Sequence, residues 1–197
     1  MLIIISALIA IIGFQFWVAY STRLTEQQSY TLIKKEDKIE IRHYPSAIMA
    51  SVKINTNNYT TLSFEGFRIL AQYIFGRNHR KENIAMTSPV HMNLKNHSST
   101  MSFVMPSVYT MQTIPHPDNP IIQLNAIPDE YVACIIFGGF FSKQKIKKFT
   151  NELDSYLSTH NISKKGEYRL LGYNPPYQWI KRRNEIIVAV EWNEKNQ

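Results

Sequence analysis

Residues 39–54, IEIRHYPSAIMASVKI, and residues 122–137, IQLNAIPDEYVACIIF, carry one pattern 83 positions apart. Pro45 falls on Pro128, and Ile48, Ala50, Val52 and Ile54 fall on Tyr131, Ala133, Ile135 and Phe137. Each stretch holds a short strand, a proline turn and a second alternating strand. Helical spacing follows in both copies. Phe67, Leu70, Ala71 and Ile74 recur between about Thr60 and Phe75, and Ile146, Phe149, Leu153, Tyr156 and Leu157 recur behind Ser142, a candidate N-cap. Leu70 maps on Leu153 and Tyr73 on Tyr156 at the same offset. Each half closes with two more strands, at roughly 88–94 and 100–105, then 167–173 and 186–192. The pattern is β-β-α-β-β, twice. It predicts an α+β domain whose halves share one antiparallel sheet, with both helices on it and a pseudo-twofold cleft between, a common place for a ligand. The connector near 107–121 holds Pro115, Pro117 and Pro120 and reads as a loop between halves.

The chain of 197 residues is long enough for one domain with a real core. Its net charge is +7, but the basic residues lie in short clusters such as Arg77–Lys81, Lys143–Lys148 and Lys181–Arg183. None reaches the run of like charge expected of a nucleic-acid tail, so no nucleic-acid partner is expected. The lone Cys134 sits in an apolar run, forms no internal disulfide and belongs to no CxxC pair, so it reads as a buried, inert thiol.

Residues 2–20, LIIISALIAIIGFQFWVAY, carry no charge, and Gln15 is their one strongly polar side chain. As a helix the run is about 28 Å long, near the thickness of a bilayer core. Phe14, Phe16, Trp17 and Tyr20 gather at one end, as an interfacial belt would. The run predicts an uncleaved transmembrane helix over residues 1–24, giving a membrane localisation with a single-pass N-terminal anchor and a domain over 25–197. A signal peptide cleaved near Ala19 and Ser21 is the alternative.

No GxSxG, HExxH, P-loop or GxGxxG appears, so the chain reads as a binder and not as an enzyme. The absence of CxxCH excludes covalent heme attachment. Of six histidines, His43 is the informative one. Strand alternation puts it on the face of Ile39 and Ile41, toward an apolar environment, where it is either a hydrogen-bonded core histidine or an imidazole offered to a metal. The other histidines read as surface groups. Met86, Met92, Met101 and Met105 gather with Phe103 and Val104, as core filling or as a plastic pocket. The stretch 172–186, GYNPPYQWIKRRNEI, places Lys181, Arg182 and Arg183 after an extended turn, where they could hold carboxylates or phosphates or pair with Glu185.

Several segments resemble the SOUL family, the heme-binding protein family: IEIRHYP at 39–45, GFRILAQYIFGRN at 66–78, IAMTSPV at 84–90, FVMP at 103–106, PHPDNP at 115–120, FGGF at 137–140, and GYNPPY with RRNEI within 172–186. They run in family order over roughly residues 36–192, and the ordered set is far more specific than any single piece. The resemblance implies a distorted antiparallel β-barrel with two long helices and internal pseudo-symmetry. It also implies noncovalent binding of heme or a porphyrin beside the first long helix. In some members the histidine of the EIRHY motif, here His43, has been proposed as the iron ligand. Where members carry basic residues on the first helix and in the NPP loop, this chain has Phe64, Gln72 and Gln178, leaving Lys181, Arg182 and Arg183 as the cations nearby.

The resulting expectation is a membrane-tethered tetrapyrrole binder. Its ring would pack on Phe67, Leu70, Ala71 and Ile74, His43 would supply an axial nitrogen, and Lys181 and Arg182 would meet the propionates. The second expectation is a sensor of another amphipathic ligand, on a scaffold similar to gyrase-inhibitor-like regulatory domains, with Glu185 pairing a cationic ligand.

Overall fold

The computed structural model describes residues 2–95 and 97–192, without the side chains of residues 2–5 and 7–9. The order of elements follows the duplication. Strands β1 (Glu26–Gln27) and β2 (Thr31–Glu36) precede the first unit, β3 (Ile39–Tyr44), β4 (Ala47–Ile54), a helical stretch, β6 (Val90–Asn93) and β7 (Ser99–Val104). The second unit is β8 (Gln123–Ile127), β9 (Glu130–Phe137), α4 (Lys143–Thr159), β10 (Arg169–Gly172) and β11 (Asn184–Ala189). A short β5 (Thr87–Ser88) pairs with β1 apart from the main sheet.

The main sheet is antiparallel and nine-stranded, in the order β2-β3-β9-β11-β10-β6-β7-β4-β8. Without β2 that order is a palindrome: exchanging β3 with β8, β4 with β9, β6 with β10 and β7 with β11 reverses it onto itself. A pseudo-twofold relation therefore passes between β10 and β6.

The expected barrel is not formed. The sheet is open, with β2 and β8 as unpaired ends. The fold is mostly sheet with few helices, and the pair of long helices is corrected as well. Of the two helices of the duplicated units only α4 is continuous and long, capped by the Ser142 hydroxyl, which accepts from the Lys145 amide. Its counterpart is broken into a three-residue α2 (Tyr59–Thr61), a π-turn at Leu62–Gly66 and an eight-residue α3 (Phe67–Ile74). Asn58 caps the start by accepting from the amides of Thr60 and Thr61. Gly66 lets this segment lie against β7, since a Cβ there would come within 3.0 Å of Met101 Cβ.

The face under α3 and α4 is the main core. Ile39, Ile41, Ala50, Val52, Leu70, Ile74, Met92, Met101, Phe103, Ile135, Leu153 and Ile186 pack there. Burying each large aliphatic side chain contributes about 1.5–3 kcal/mol. The opposite face is buried too, around Tyr44, Val132, Cys134, Leu171, Tyr173 and Ile187. That two-sided burial is why β3 and β11 carry charged residues with no access to water.

The membrane anchor is also corrected. Among the described residues, no helix is long and apolar enough to cross a membrane. The side chains at 1–5 and 7–9, on which the expectation leaned, lie outside the described residues. Helix α1 (Leu2–Leu24) instead docks its later half on the domain. Gln15 and Val18 are buried, and Gln15 bonds the chain at 177–179 twice: its Nε2 donates to the Tyr177 carbonyl at 3.0 Å, and its Oε1 accepts from the Trp179 amide at 3.1 Å. Thr22 Oγ1 donates to Gln178 Oε1 at 3.0 Å. A polar residue in an apolar run thus finds its partners in protein.

Candidate functional site

The expected site residues fall into separate neighbourhoods. On α3, Leu70, Ala71 and Ile74 are buried in the core, while Phe67 is 40% exposed and meets Phe103 edge-on at 5.4 Å. Phe64, one turn earlier, is also exposed. Lys181 and Arg182 lie in the loop before β11. Lys181 is exposed, with a left-handed φ of 53°. Arg182 is committed to its own loop: Nη1 donates to the carbonyls of Pro175 at 2.6 Å and Gln178 at 2.5 Å, and the guanidinium lies over the Phe140 ring at 4.4 Å. Burial pulls its pKa below the ordinary arginine value. The adjoining Phe141 packs on Tyr59 at 5.1 Å, so this loop neighbours the start of the first helical stretch.

His43 stands elsewhere. From β3 to β7, on which α3 rests, there are five strand steps, about 24 Å along the sheet. His43 pairs with Tyr131 near the start of β9, whereas the Lys181–Arg182 loop leads into Asn184, which pairs with Phe137 at the other end of that strand.

Instead of facing an apolar environment, the His43 side chain is 29% exposed and hydrogen-bonded, with Nε2 3.1 Å from Asp129 Oδ2. Its ring lies on Tyr131 at 4.7 Å. Asp129 and Tyr131 also line a depression of ≈ 460 Å³, together with Glu130, Lys165, Glu191 and Trp192. That volume is within the range of small-ligand pockets. Its acids are already partnered: Asp129 by His43, Glu130 by Arg169 at 2.7 Å and Glu191 by Lys165 at 3.5 Å. The last pair is exposed at both ends and weakly held, so Lys165 is free to turn to another anion. For a tetrapyrrole, the depression offers the aromatic planes of Tyr131 and Trp192 and one exposed ammonium among three carboxylates, with the His43 imidazole beside it and not in its lining. Among the described residues, no group of three or more His, Cys, Asp or Glu side chains could hold a bare metal ion.

The sequence reading missed a buried ionic cluster on the second sheet face. Arg42, Glu40 and Glu185 are all buried. Glu185 accepts from Arg42, Arg183 and Tyr173, and Arg42 also reaches Glu40 and Tyr44 and lies over the Tyr30 ring at 4.2 Å. Burial alone would lower the pKa of Arg42, but Glu185 more than offsets it and holds the guanidinium above its usual value. Burial, then the Glu185 charge, raises the hydroxyls of Tyr44 and Tyr173 and the Cys134 thiol. Glu185 is therefore saturated by internal donors and is not open to a cationic ligand. His91, expected at the surface, is also buried, bonded through Nε2 to Gln28 Oε1 at 2.8 Å.

A family model described as SOUL heme-binding protein matches residues 25–189. The chain is similar to heme-binding protein 1 of Xenopus laevis, 27% identical over 173 residues, covering 82% of this chain and 90% of the relative. It is similar to heme-binding protein 2 of Homo sapiens, 28% identical over 155 residues, covering 75% of each. Among solved structures, the C-terminal domain of EcmrR matches with a TM-score of 0.58 at 13% identity, over 83% of this chain and 99% of that one. A structure described as a hydrolase from Listeria innocua matches at 0.55 and 12% identity, over 80% and 94%. At such identities these two likenesses are of fold alone.

Proposed function

The chain belongs to the SOUL heme-binding protein family, and from that premise we propose that it binds heme or a related tetrapyrrole noncovalently, as a carrier, buffer or sensor and not as an enzyme. The observation that carries the reading is His43, a partly exposed imidazole beside the depression lined by Tyr131, Trp192 and Lys165. Bound heme would supply a Lewis-acidic iron. His43 would offer it a nitrogen, Tyr131 and Trp192 would pack on the ring, and Lys165 would meet a propionate.

A second reading places the ring on the first helix. The exposure of Phe67 and Phe64 favours it. Leu70, Ala71 and Ile74 would form the packed floor beneath, and Lys181 and Arg182 in the adjoining loop would supply positive charge. Because His43 is remote from α3 along the sheet, the two readings exclude each other for one heme.

Hemin titration of the full chain, followed by the Soret band, tests both. The His43 reading expects saturable binding that His43→Ala weakens at least tenfold, with a shifted band, while Phe67→Asp binds as wild type. Each factor of ten is about 1.4 kcal/mol. The reverse pattern selects the helix surface. A wild-type protein that leaves the hemin spectrum unchanged overturns heme binding.

A further inference from the structure

We propose that the face built by helix α1 and the loop at 173–183 rests on an anionic lipid surface, with its aromatic rings at headgroup depth and no segment spanning the bilayer.

The docking of α1 shapes this face. Gln15, Val18 and Thr22 are spaced three and four positions apart, so they share one stripe of the helix. That stripe is spent on the protein: Val18 is buried, Gln15 bonds the backbone at Tyr177 and Trp179, and Thr22 bonds Gln178. Gln178 is buried and also donates to the Ile180 carbonyl, and its neighbours Tyr177 and Trp179 are exposed. The ring of Phe14 lies 6.1 Å from Trp17 and 6.3 Å from Tyr177, which makes the helix and the loop one aromatic surface. Trp17 is 64% exposed, and Tyr177 and Trp179 are each 58% exposed. The surface continues to the exposed Phe140, under the guanidinium of Arg182, which the Pro175 and Gln178 carbonyls hold in place.

Charge identifies the occupant. The three segments that meet here, 2–25, 138–151 and 173–184, contain no Asp or Glu. They supply Arg23 and Lys181, both exposed, together with Arg182 and with Lys145, whose Nζ donates to the Gly138 carbonyl near Phe140. The next carboxylate in the chain, Glu185, is buried and taken up by Arg42 and Arg183. Exposed Trp and Tyr rings among cations, without a carboxylate, match the chemistry of a membrane–water interface with anionic headgroups. A second copy of the chain is a poorer occupant, since a twofold contact would set the same cations against one another. Insertion is excluded on separate grounds. Among the described residues no helix is long and apolar enough to cross a membrane, and undocking α1 would take the Gln15 amide from its partners into hydrocarbon.

The full chain is tested by sedimentation with vesicles of phosphatidylcholine alone and of phosphatidylcholine with phosphatidylserine. Binding is expected on the phosphatidylserine vesicles and not on the others, weakening as salt rises, with tryptophan emission shifted to shorter wavelength. Lys181→Gln should weaken it about fivefold. Lys164→Gln, which removes the same charge beyond the far end of α4, about 25 Å along that helix from Lys145, should bind as wild type. Trp179→Ala should weaken binding and reduce the emission shift. Equal binding to both kinds of vesicle, binding that withstands high salt, or equal effects of Lys181→Gln and Lys164→Gln would each overturn the proposal. A protein that ignores both vesicles and self-associates through Trp179 would assign the face to a second copy and overturn it as well.

Discussion

Arg42 and Glu185 lie 143 residues apart in the chain and meet in a two-point ion pair, Nη1 to Oε2 at 2.8 Å and Nη2 to Oε1 at 3.1 Å, with neither side chain open to solvent. The contact joins β3 to β11 across the intervening β9, so it ties the two halves of the duplication on the face away from the helices.

Breaking this pair from one side leaves a buried charge. Glu185→Gln should destabilise the protein by about 3–5 kcal/mol, whereas replacing Arg42 and Glu185 together by Met and Leu should cost less than that single change. Urea unfolding of the three proteins checks the order. A double variant less stable than Glu185→Gln would show that the ionic network itself, and not the avoidance of an orphan charge, stabilises this face.

His91 makes stability depend on pH. Burial, with a smaller contribution from the Arg169 charge, lowers its pKa from 6.5 to about 3. The unfolded chain then binds a proton that the folded protein refuses. The stabilising effect of a neutral His91 is complete above 6.5 and is lost as pH falls toward 3, at up to ~1.4 kcal/mol per pH unit. His91→Gln should flatten that part of the stability curve between pH 6.5 and 4.5, above the main titration of the carboxylates. Equal slopes for wild type and variant in chemical unfolding across this window would remove His91 as the cause.

The Gln15 amide makes two of the hydrogen bonds that dock helix α1. Gln15→Leu leaves the Tyr177 carbonyl and the Trp179 amide without partners, a loss of about 1–3 kcal/mol in the docking of α1. Hydrogen exchange at the Trp179 amide should accelerate in the variant while that of core amides such as Ile135 is unchanged. Unchanged protection at Trp179 would mean that Gln15 does not hold the loop.

The two units were legible because strand and helix periodicities recur at one offset, and residues such as Ala50 and Ala133 keep the same place in both. Closure was not legible. Whether β2 and β8 pair depends on twist accumulated over the whole sheet, which no local pattern of TLIKKE or QLNAI records. The ionic cluster was hidden for a different reason. Alternating Glu40, Arg42 and Tyr44 carry no local sign of burial, yet Tyr30, Tyr173 and the far Glu185 cover them. The signal available was Glu185 itself, a charge followed by the apolar run IIVAV. His91 was concealed in the same way, because its neighbours Val90 and Met92 mark only the strand face opposite it. Asp129 carried a weak cue, a carboxylate in a proline turn. Only the β3–β9 register brings it to His43.

The same cluster decides which ligands the second sheet face can take. Arg42 fills a cage of two carboxylates, Glu40 and Glu185, and the aromatic hydroxyls and rings of Tyr30, Tyr44 and Tyr173. Such a cage would suit a cation, but its occupant is covalently part of the chain, so an external cation must displace a guanidinium held by charge-assisted bonds. The wild-type protein is therefore expected to show no saturable fluorescence change with ethidium, a planar organic cation. Arg42→Ala empties the cage and leaves Glu185 short of donors, so added guanidinium at millimolar concentration should restore part of the lost stability, more than an equal concentration of sodium does. Saturable ethidium binding by wild type that Glu185→Gln abolishes would reverse the conclusion, restoring Glu185 as the counter-charge of a cationic ligand.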